Sequence, residues 1–549
     1  MKHKNCPQIH KLSSSLDSAS LSKAKERLGR LRQLTVDCAE IGEEISQVVA
    51  GLRQVAAPDG QPFLFTTVLK ENKILLDVVF RDCADIKYRS FQAKDRQALL
   101  VYLHGMTDMT ILEKDVLQTL MSTGQEQNTI DLNMLVNNLL TSAGLTVSCQ
   151  ANQIIEAVMT GNTLLLVDGI AQGLLIATTR HVKRPISEGT SEDVMRGPHD
   201  AFNETLNDNL VLIRRRTRDT NIKIRIMQIG ERSKTAVAVL YAANLVKPGL
   251  VEEVERRLQL IKVDKILSAG MVEEWLVDRP WSPFPQMQGT ERPDKMVAAL
   301  YEGRVGIIID NTPFTLMAPC TYNLIMQSAD DYTMPPLVSS VLRATRHIAA
   351  FIAIYLPSLY VAIISYHPGM LPTTMAISVA EIRARTPFPS FLEALLMEAL
   401  LEIFQEAVVR LPRKIAPAAS MLGGFIIGNT VVQAGLINPL LVVIIATTAI
   451  ASYVMPSYAF SMGLRTLRVP MLLLASIFGL YGVMLGILAV TIHVCSLKSF
   501  GESYLGGILN INLIADWKDS FVRLPQRLLT TRPQEFGSQD PIRSGGKNG

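Results

Sequence analysis

The chain has 549 residues, of which 48% are hydrophobic and only 19% charged. This length exceeds what a single hydrophobic core serves, and the composition is unusual for a wholly soluble protein, so we expect a soluble part joined to a membrane part. The net charge of +4 indicates no strongly charged partner, and six scattered cysteines argue against a disulfide scaffold or a zinc site.

Residues 1–60 are predicted to form an N-terminal extension. The stretch is rich in Ser and Lys at first and becomes helix-like between Ser20 and Arg53, where apolar residues recur at spacings of three and four. It lacks the apolar core of a signal peptide, so export of the N-terminal half is not indicated. We interpret it as a solvated surface helix, with a docking helix as the alternative.

Short strands and amphipathic helices alternate between residues 61 and 330. The run "ALLVYLHG", Ala98 to Gly105, is typical of a buried strand, and paired strands surround the turns at Asp168 and Asp310. The pattern predicts a soluble α/β region made of two subdomains, 61–160 and 161–330.

Apolar segments dominate residues 331–497. Ala349 to Tyr366 and the stretch 415–464 contain no charged residue, whereas one crossing of a bilayer needs only about 20 residues. We therefore predict an all-α polytopic membrane domain with four to five helices, followed by a polar tail, 498–549, that is disordered at its end. Five crossings place the tail opposite the N-terminal region, and four place it on the same side but leave basic clusters on the unfavoured side.

One segment within this domain carries a row of charges. Glu398, Glu402, Glu406 and Arg410 follow one another at spacings of four, so a helix presents them on one face. A charge at the centre of a bilayer costs about 3 kcal/mol, so this face is predicted to look into a water-filled cavity or a subunit seam. Repeated around an oligomer it would form the acidic rings of a cation path. An interfacial helix or inter-helix packing is the alternative.

A later segment places two amides on one helix face. Asn429 and Gln433 are four residues apart within an apolar, glycine-containing stretch. Such amides usually join membrane helices by hydrogen bonds, and the alternative is that they line an ion or solute path.

No motif for chemistry is present in the sequence. There is no Walker loop, no dinucleotide fingerprint, no zinc-protease motif and no nucleophile elbow, and the eight histidines are isolated. We therefore predict no catalytic residue, no metal site and no cofactor, and the protein is not expected to be an enzyme. The basic run "RRRTR", Arg214 to Arg218, is interpreted as the solvated end of a helix rather than a contact for lipid or nucleic acid.

Ordered sequence blocks resemble a known family. "EDVMRGPHDAFNETLNDNLVLIRRRTRD", which starts at Glu192, resembles a signature of the GerA-type spore germination proteins, the A subunits of germinant receptors. The stretches "GERSKTAVAVLYAANLVKPGLVEEVERRL", "ERPDKMVAALYEGRVGIIIDNTPFTLMAP", "FLEALLMEALLEIFQEAVVRLP" and "TTAIASYVMPSY" are similar to its further blocks, in the same order. The resemblance covers about residues 65–530.

The resemblance implies a cytosolic N-terminal region of two α/β subdomains and a multi-pass membrane domain in the spore inner membrane. It also implies a complex with a transporter-like B-type subunit, which senses the nutrient, and a lipoprotein C-type subunit. A subunits of the family are thought to oligomerise into an ion channel. We therefore expect a non-enzymatic receptor subunit that contacts membrane lipid and no nucleic acid.

Two alternatives to the channel remain open at this point. A paralogous branch, similar to the stage V sporulation protein AF, shares the same blocks and acts as an accessory, so a non-conducting scaffold subunit is the second hypothesis. A secondary transporter is the third, although the sequence has no paired interrupted helices in related halves.

Overall fold

The computed structural model describes residues 64–93, 96–122, 132, 135–136, 144–180, 192, 196–412, 414–506, 519–533 and 537–543. The predicted extension 1–60 lies outside these residues, as does the end of the tail, 544–549. The described part consists of two α/β subdomains followed by a bundle of apolar helices, which confirms the predicted fold class.

The first subdomain is built around a five-stranded antiparallel sheet. Its strands are β1 (Ile86–Ala93), β2 (Arg96–Leu103), β3 (Leu145–Ser148), β4 (Thr163–Val167) and β5 (Gly173–Ile176). Its helices are α1 (Leu69–Val79), α2 (Met109–Ile111, the π-helical Leu112–Gln118 and Thr119–Ser122) and α3 (Ala151–Met159). The strand order is β1-β2-β4-β5-β3.

The second subdomain repeats this plan. Its strands are β6 (Ile222–Ile229), β7 (Thr235–Ala242), β8 (Gln288–Thr290), β9 (Val305–Ile309) and β10 (Thr315–Ala318). Its helices are α4 (Leu206–Arg216), α5 (Leu250–Gln259), α6 (Ala269–Leu276), α7 (Pro293–Tyr301) and the short α8 (Tyr322–Met326). The order β6-β7-β9-β10-β8 is that of the first sheet, position for position.

Matching hydrogen bonds mark the two subdomains as structural repeats. The Asp168 carboxylate accepts from the backbone N–H of Leu69 at 3.0 Å, and the Asp310 carboxylate accepts from that of Leu206 at 3.0 Å. Each aspartate follows a fully buried strand and satisfies an unpaired N–H in the first turn of its subdomain's first helix. The predicted turn role of both residues thus includes helix capping.

The first sheet extends beyond the predicted subdomain boundary. β4 pairs with β2 and β5 pairs with β3, so residues up to Ile176 belong to the first subdomain. The boundary therefore lies after residue 176 rather than at 160. The strand–turn–strand unit around Asp168 closes the first sheet, just as the unit around Asp310 closes the second.

Both faces of the central strands are covered, which explains why strands such as β2, β4 and β9 are apolar almost throughout. In β2, Leu99, Val101 and Leu103 pack on one face. Ala98, Leu100 and Tyr102 pack on the other. Successive side chains of a strand point to opposite faces, so a strand with helices on both sides loses the alternation of polar and apolar residues.

The bundle contains six named helices. They are α9 (Pro336–Tyr366), α10 (Thr373–Arg383), α11 (Ser390–Arg410), α12 (Ala416–Phe425, continued by the π-helical Ile426–Thr430 and by Val431–Gln433), α13 (Pro439–Tyr453) and α14 (Tyr458–Ser496). Within the described residues, α9 and α14 are long and apolar enough to cross a membrane, as judged by length and composition.

The helix α14 is a hairpin rather than a straight rod. Gly479 has φ +60° and ψ −139°, a conformation outside the helical region that glycine adopts readily. Beyond it, Gly482 packs against the carbonyl oxygen of Leu474, and Gly486 against Met471. The two halves of α14 therefore run antiparallel, and missing Cβ atoms allow their close approach.

Contacts at helix ends show that the chain passes along the bundle six times. At the far end, away from the sheets, the Ser365 hydroxyl donates to the Ser390 hydroxyl at 3.4 Å. At the same end the backbone N–H of Asn438 donates to the Glu393 carboxylate at 3.2 Å. At the near end, the Ser461 hydroxyl donates to the Ser452 carbonyl at 2.8 Å. The passes are α9, α11, the segment 416–433, α13 and the two halves of α14.

Part of the polar tail packs back on the second subdomain. The strands β11 (Lys498–Ser499) and β12 (Glu502–Ser503) form a short hairpin at the near end. Further along, Arg532 donates to the Tyr301 carbonyl at 3.0 Å, and Gln539 donates to the Val246 carbonyl at 3.0 Å. Residues 537–543, part of the stretch predicted to be disordered, thus have a defined place in the fold.

Candidate functional site in the helical bundle

Two arginines of α14 meet the predicted glutamate row of α11. Arg465 Nη2 lies 2.6 Å from Glu402 Oε2, and Arg468 Nη1 lies 3.2 Å from Glu398 Oε2. The carboxylates are four residues apart and the arginines three, so each pair occupies one face of its helix. The result is a two-step ladder of ion pairs between two passes of the bundle.

Arg468 is buried and connects four helices. Its side chain is 2% exposed, and besides Glu398 it donates from Nε to the carbonyl of Ala353 in α9 at 2.6 Å. It also donates from Nη2 to the carbonyl of Thr448 in α13 at 3.3 Å. A guanidinium carries five donors in a rigid plane, so it can hold a carboxylate and two carbonyls at once.

A proline creates one of these acceptors. Pro357 lies within α9 and has no N–H to donate to the residue four positions earlier, which is Ala353. The Ala353 carbonyl therefore lacks its helical partner, and the Arg468 guanidinium replaces it. A backbone acceptor that would otherwise be unsatisfied in an apolar bundle thus becomes part of the binding site for the arginine.

The predicted stripe splits into a buried and an exposed part. Glu398 is 7% exposed, whereas the side chains of Glu402 and Glu406 are 55% and 62% exposed. Glu406 pairs with Arg410 one turn along the same helix at 2.5 Å. Glu398 therefore lies between helices, while Glu402 and Glu406 lie at the perimeter of the single chain.

Exposed apolar residues share that perimeter. Leu396, Leu400, Ile403 and Val409 of α11 are all exposed, with Ile403 at 67%. Carboxylates that sit beside such residues require water or polypeptide next to them if the helix lies in a bilayer.

The two predicted amides lie on the outside of the bundle. Asn429 and Gln433 are both exposed, and Gln433 Nε2 lies 3.5 Å from Asn429 Oδ1. Within the described chain this hydrogen bond links the amides to each other rather than to a neighbouring helix. The face that they form is available for a contact outside the chain.

A second buried carboxylate lies at the far end of α11. Glu393 is 1% exposed, and its Oε2 accepts from the backbone N–H of Asn438. Asn438 is itself fully buried and caps α13 by accepting from the backbone N–H of Leu440 at 2.9 Å. Neither residue was predicted from the sequence to be part of a site.

An ion-pair cluster joins the sheets to the bundle. The Asp331 carboxylate lies 3.0 Å from Arg343 and 2.8 Å from Arg346, both in the first turns of α9. Asp519 of the tail contacts Arg343 as well, at 3.1 Å. Asp331 thus lies at the centre of the junction.

A further buried pair joins the two subdomains. Arg214 is fully buried, and its Nε lies 2.7 Å from the Asp85 carboxylate just before β1. Its Nη2 donates to the other carboxylate oxygen at 3.2 Å. The interpretation of "RRRTR" as a solvated helix end is therefore wrong for Arg214.

Among the described residues, no group of three or more His, Cys, Asp or Glu side chains could hold a metal ion.

The chain is similar in sequence to spore germination proteins over most of its length. The family model for the Bacillus/Clostridium GerA spore germination protein matches residues 75–535. The chain is 36% identical to the spore germination protein GerLA of Bacillus cereus, over 80% of this chain and 89% of that protein. It is 34% identical to the spore germination protein A1 of Bacillus subtilis, over 82% and 92% of the two chains.

Two further similarities concern a membrane protein and the crystal structure of a single domain. An uncharacterized membrane protein of Bacillus subtilis, YfkQ, is 36% identical over 87% of this chain and 93% of its own length. The crystal structure of the N-terminal domain of the A subunit of the Bacillus megaterium germinant receptor GerK3 is 29% identical. It matches with a TM-score of 0.39, over 48% of this chain and 99% of that domain.

The family model extends over both five-stranded sheets and the whole bundle of apolar helices, so sequence and fold define one class over most of the chain. The chain belongs to the GerA family of spore germination proteins.

Proposed function

We propose that this chain is the A subunit of a nutrient germinant receptor in the spore inner membrane, and that it oligomerises into a ligand-controlled ion channel. Its partners are a B-type transporter-like subunit and a C-type lipoprotein subunit. Membership of the family and the names of the relatives support the receptor role.

Six passes provide a consistent membrane topology. The near end of the bundle carries Arg343, Arg346 and Arg410, and the tail returns to the same end with Arg523. Basic residues prefer the cytoplasmic side of a membrane. The sheets, this end and the described tail therefore face the cytosol. With six passes the tail lies on the same side as the N-terminal region, and the basic residues of the near end lie on that side too. Neither four nor five crossings gave both.

The observation that carries the channel is the exposure of Glu402 on a helix of the perimeter. Its side chain is 55% exposed beside exposed Leu400 and Ile403, although the helix runs the length of an apolar bundle. Facing lipid would be costly for a carboxylate, so a second copy of the chain or water covers it. Copies related by rotation would place Glu402 and Glu406 as acidic rings around a cation path.

A non-conducting scaffold subunit is the second candidate. The ladder favours it, because Arg468 and Arg465 neutralise two carboxylates of the row and give them a role in packing. On this reading the soluble subdomains hold the other receptor subunits together, and the glutamates stabilise the bundle.

Ion flux in liposomes separates the candidates. The purified full-length chain, reconstituted alone and with its B-type and C-type partners, is tested for potassium release from loaded vesicles. Release that depends on nutrient and on this chain supports the channel. A complex that assembles fully yet leaks no potassium with nutrient present supports the scaffold. No catalytic activity is proposed.

A further inference from the structure

A cavity of about 720 Å³ lies where the second subdomain meets the near end of the bundle. On the soluble side it is lined by α6, β8 and β10, and on the other by the end of α11 and the connection between α13 and α14. Binding sites for small molecules range over roughly 300–1,000 Å³ and favour interfaces between domains. Size and position therefore both suit a small ligand.

Most of the cavity wall is apolar. Met287, Phe314 and Leu316 contribute from the soluble subdomain, and Val409 and Met455 contribute from the bundle. Such a wall holds the body of a ligand by burial and leaves its orientation to a few polar groups.

One of those polar groups is a buried amide without a partner. Gln288 lines the cavity and is 3% exposed, yet neither its Oε1 nor its Nε2 has a hydrogen-bond partner among the described residues. Buried side-chain amides are nearly always hydrogen-bonded in folded proteins. The unsatisfied donor and acceptor of Gln288 therefore point to a molecule that occupies the cavity.

The second polar group is the carboxylate of Glu273 in α6. Burial raises its pKa to about 7, and no ion pair joins it to a basic side chain in the part of the chain that the structure describes. Glu192 also lines the cavity, but Lys295 at 3.0 Å and the Thr290 hydroxyl at 2.7 Å already engage its two oxygens. Glu273 thus remains available to bind a cation.

We propose that this cavity binds a small apolar molecule that carries a protonated amine. The ammonium group pairs with Glu273, a neighbouring polar group of the ligand satisfies Gln288, and the apolar body packs on the wall around Phe314 and Met455. The amine can belong to a free small molecule or to the headgroup of an aminophospholipid. This inference rests on the cavity alone and is independent of ion conduction.

Binding of 2-phenylethylamine to the full-length chain in nanodiscs of phosphatidylcholine tests the proposal. Its neutral isostere 2-phenylethanol is the matched ligand, and saturation-transfer NMR and calorimetry report binding. We expect the amine to bind at least about tenfold more tightly than the alcohol, because a partly buried charged hydrogen bond is stronger than a neutral one. Equal binding of the two, as expected for a cavity that holds only water, overturns the proposal.

Two variants and one control assign the site. Glu273→Gln should lose the preference for the amine over the alcohol. Gln288→Leu should bind the amine more weakly but should keep that preference. Glu274→Gln changes the exposed neighbour on the same helix and should bind as the unchanged chain does. Thermal unfolding of each variant checks that it is folded. A folded Glu273→Gln chain that still prefers the amine contradicts the assignment.

The pH dependence and the lipid distinguish the remaining outcomes. Between pH 6 and 8 Glu273 ionises while an aliphatic amine stays protonated, so affinity should rise with pH. The other carboxylate that lines the cavity, that of Glu192, forms an ion pair with Lys295 at 3.0 Å. Replacing part of the phosphatidylcholine by phosphatidylethanolamine should weaken binding of the free amine if the lipid headgroup is the occupant. Unchanged binding identifies a free amine as the occupant. No binding in any lipid overturns the site.

Discussion

Arg468 donates a hydrogen bond to the carbonyl of Ala353 at 2.6 Å, where Pro357 leaves that carbonyl without its helical partner. The same guanidinium pairs with Glu398 and reaches Thr448. One side chain thus ties together the first, second and fourth passes of the bundle and the first half of α14.

Replacing Arg468 with Met should destabilise the bundle by about 3–5 kcal/mol, because Glu398 then remains buried without a partner. Thermal unfolding in detergent and the protein level in spore membranes measure the loss. The double variant Glu398→Gln with Arg468→Met should recover part of the stability, because no uncompensated charge is left. A single Arg468→Met variant as stable as the unchanged chain would contradict this role.

Replacing Glu402 with Gln should alter nutrient-triggered potassium release without preventing assembly. The Glu402 carboxylate is 55% exposed, so we expect the loss of its pair with Arg465 to cost about 1 kcal/mol of stability or less. A change of about 1 kcal/mol in a barrier alters a rate several-fold. Glu381→Gln is the control, since Glu381 forms an exposed pair with Arg385 outside the row. Normal release at normal protein level would count against the pore role of Glu402.

The six-pass topology predicts which residues an impermeant thiol reagent reaches. Gly369→Cys, in the connection at the far end, should react from outside in intact cells. Trp281→Cys, which is 98% exposed beside the near end, should react only after the membrane is opened. The unsubstituted chain gives the background of its own cysteines. Labelling of both positions from the same side would exclude this arrangement.

Gly479→Ala should impair the α14 hairpin. The residue has φ +60°, and an added Cβ would lie 3.0 Å from Tyr366, so we expect a cost of about 1–3 kcal/mol. Gly424→Ala is the matched control, because a Cβ there meets nothing within 4 Å. Thermal unfolding of both variants is the measurement. Equal stability of the two would show that the turn tolerates a side chain.

Acidification should weaken one contact between the subdomains. Arg225, which donates to Asp82 at 2.9 Å, lowers the pKa of that carboxyl. A lowered folded-state pKa gives stability that is present above the unfolded value of about 3.9 and is lost as pH falls through the folded value. Because Asp82 is 34% exposed, the contribution stays below about 1 kcal/mol.

Asp82→Asn tests this by comparison with the unchanged chain. The variant should unfold at a slightly lower temperature at pH 7, and the difference should shrink as the pH is lowered below about 3.9. Asp264→Asn, at a looser and more exposed pair with Arg232, should change little at any of these pH values. A difference that stays constant as the pH falls would have another cause.

The fold was largely predictable because its signals are local. Buried strands such as Thr163–Val167 are continuous apolar runs, and the Asp168 and Asp310 turns stand between paired strands. The subdomain boundary was misplaced because pairing of β4 with β2 is a long-range choice that no short window contains. The repetition of a whole five-stranded sheet was not predicted, because it lies in strand order and in long-range hydrogen bonds.

The glutamate row was predictable, but its partners were not. Spacings of four place Glu398 and Glu402 on one face, yet their arginines lie about 65 residues further on, and only packing brings them together. A signal for Arg468 does exist in the sequence. A proline inside an apolar helix leaves a carbonyl free, and a buried arginine elsewhere in the bundle is a natural donor for it.

The tail contact has a consequence for biosynthesis. Asp519 binds Arg343 at the start of the first pass, so the base of the bundle is completed by residues made almost last. Until the ribosome has nearly finished the chain, the Arg343 guanidinium on this first helix has Asp331 as a partner but lacks Asp519. Shortening the chain before residue 519, or fusing a bulky protein close behind it, should therefore disturb the start of the first pass, which lies far from residue 519 along the sequence.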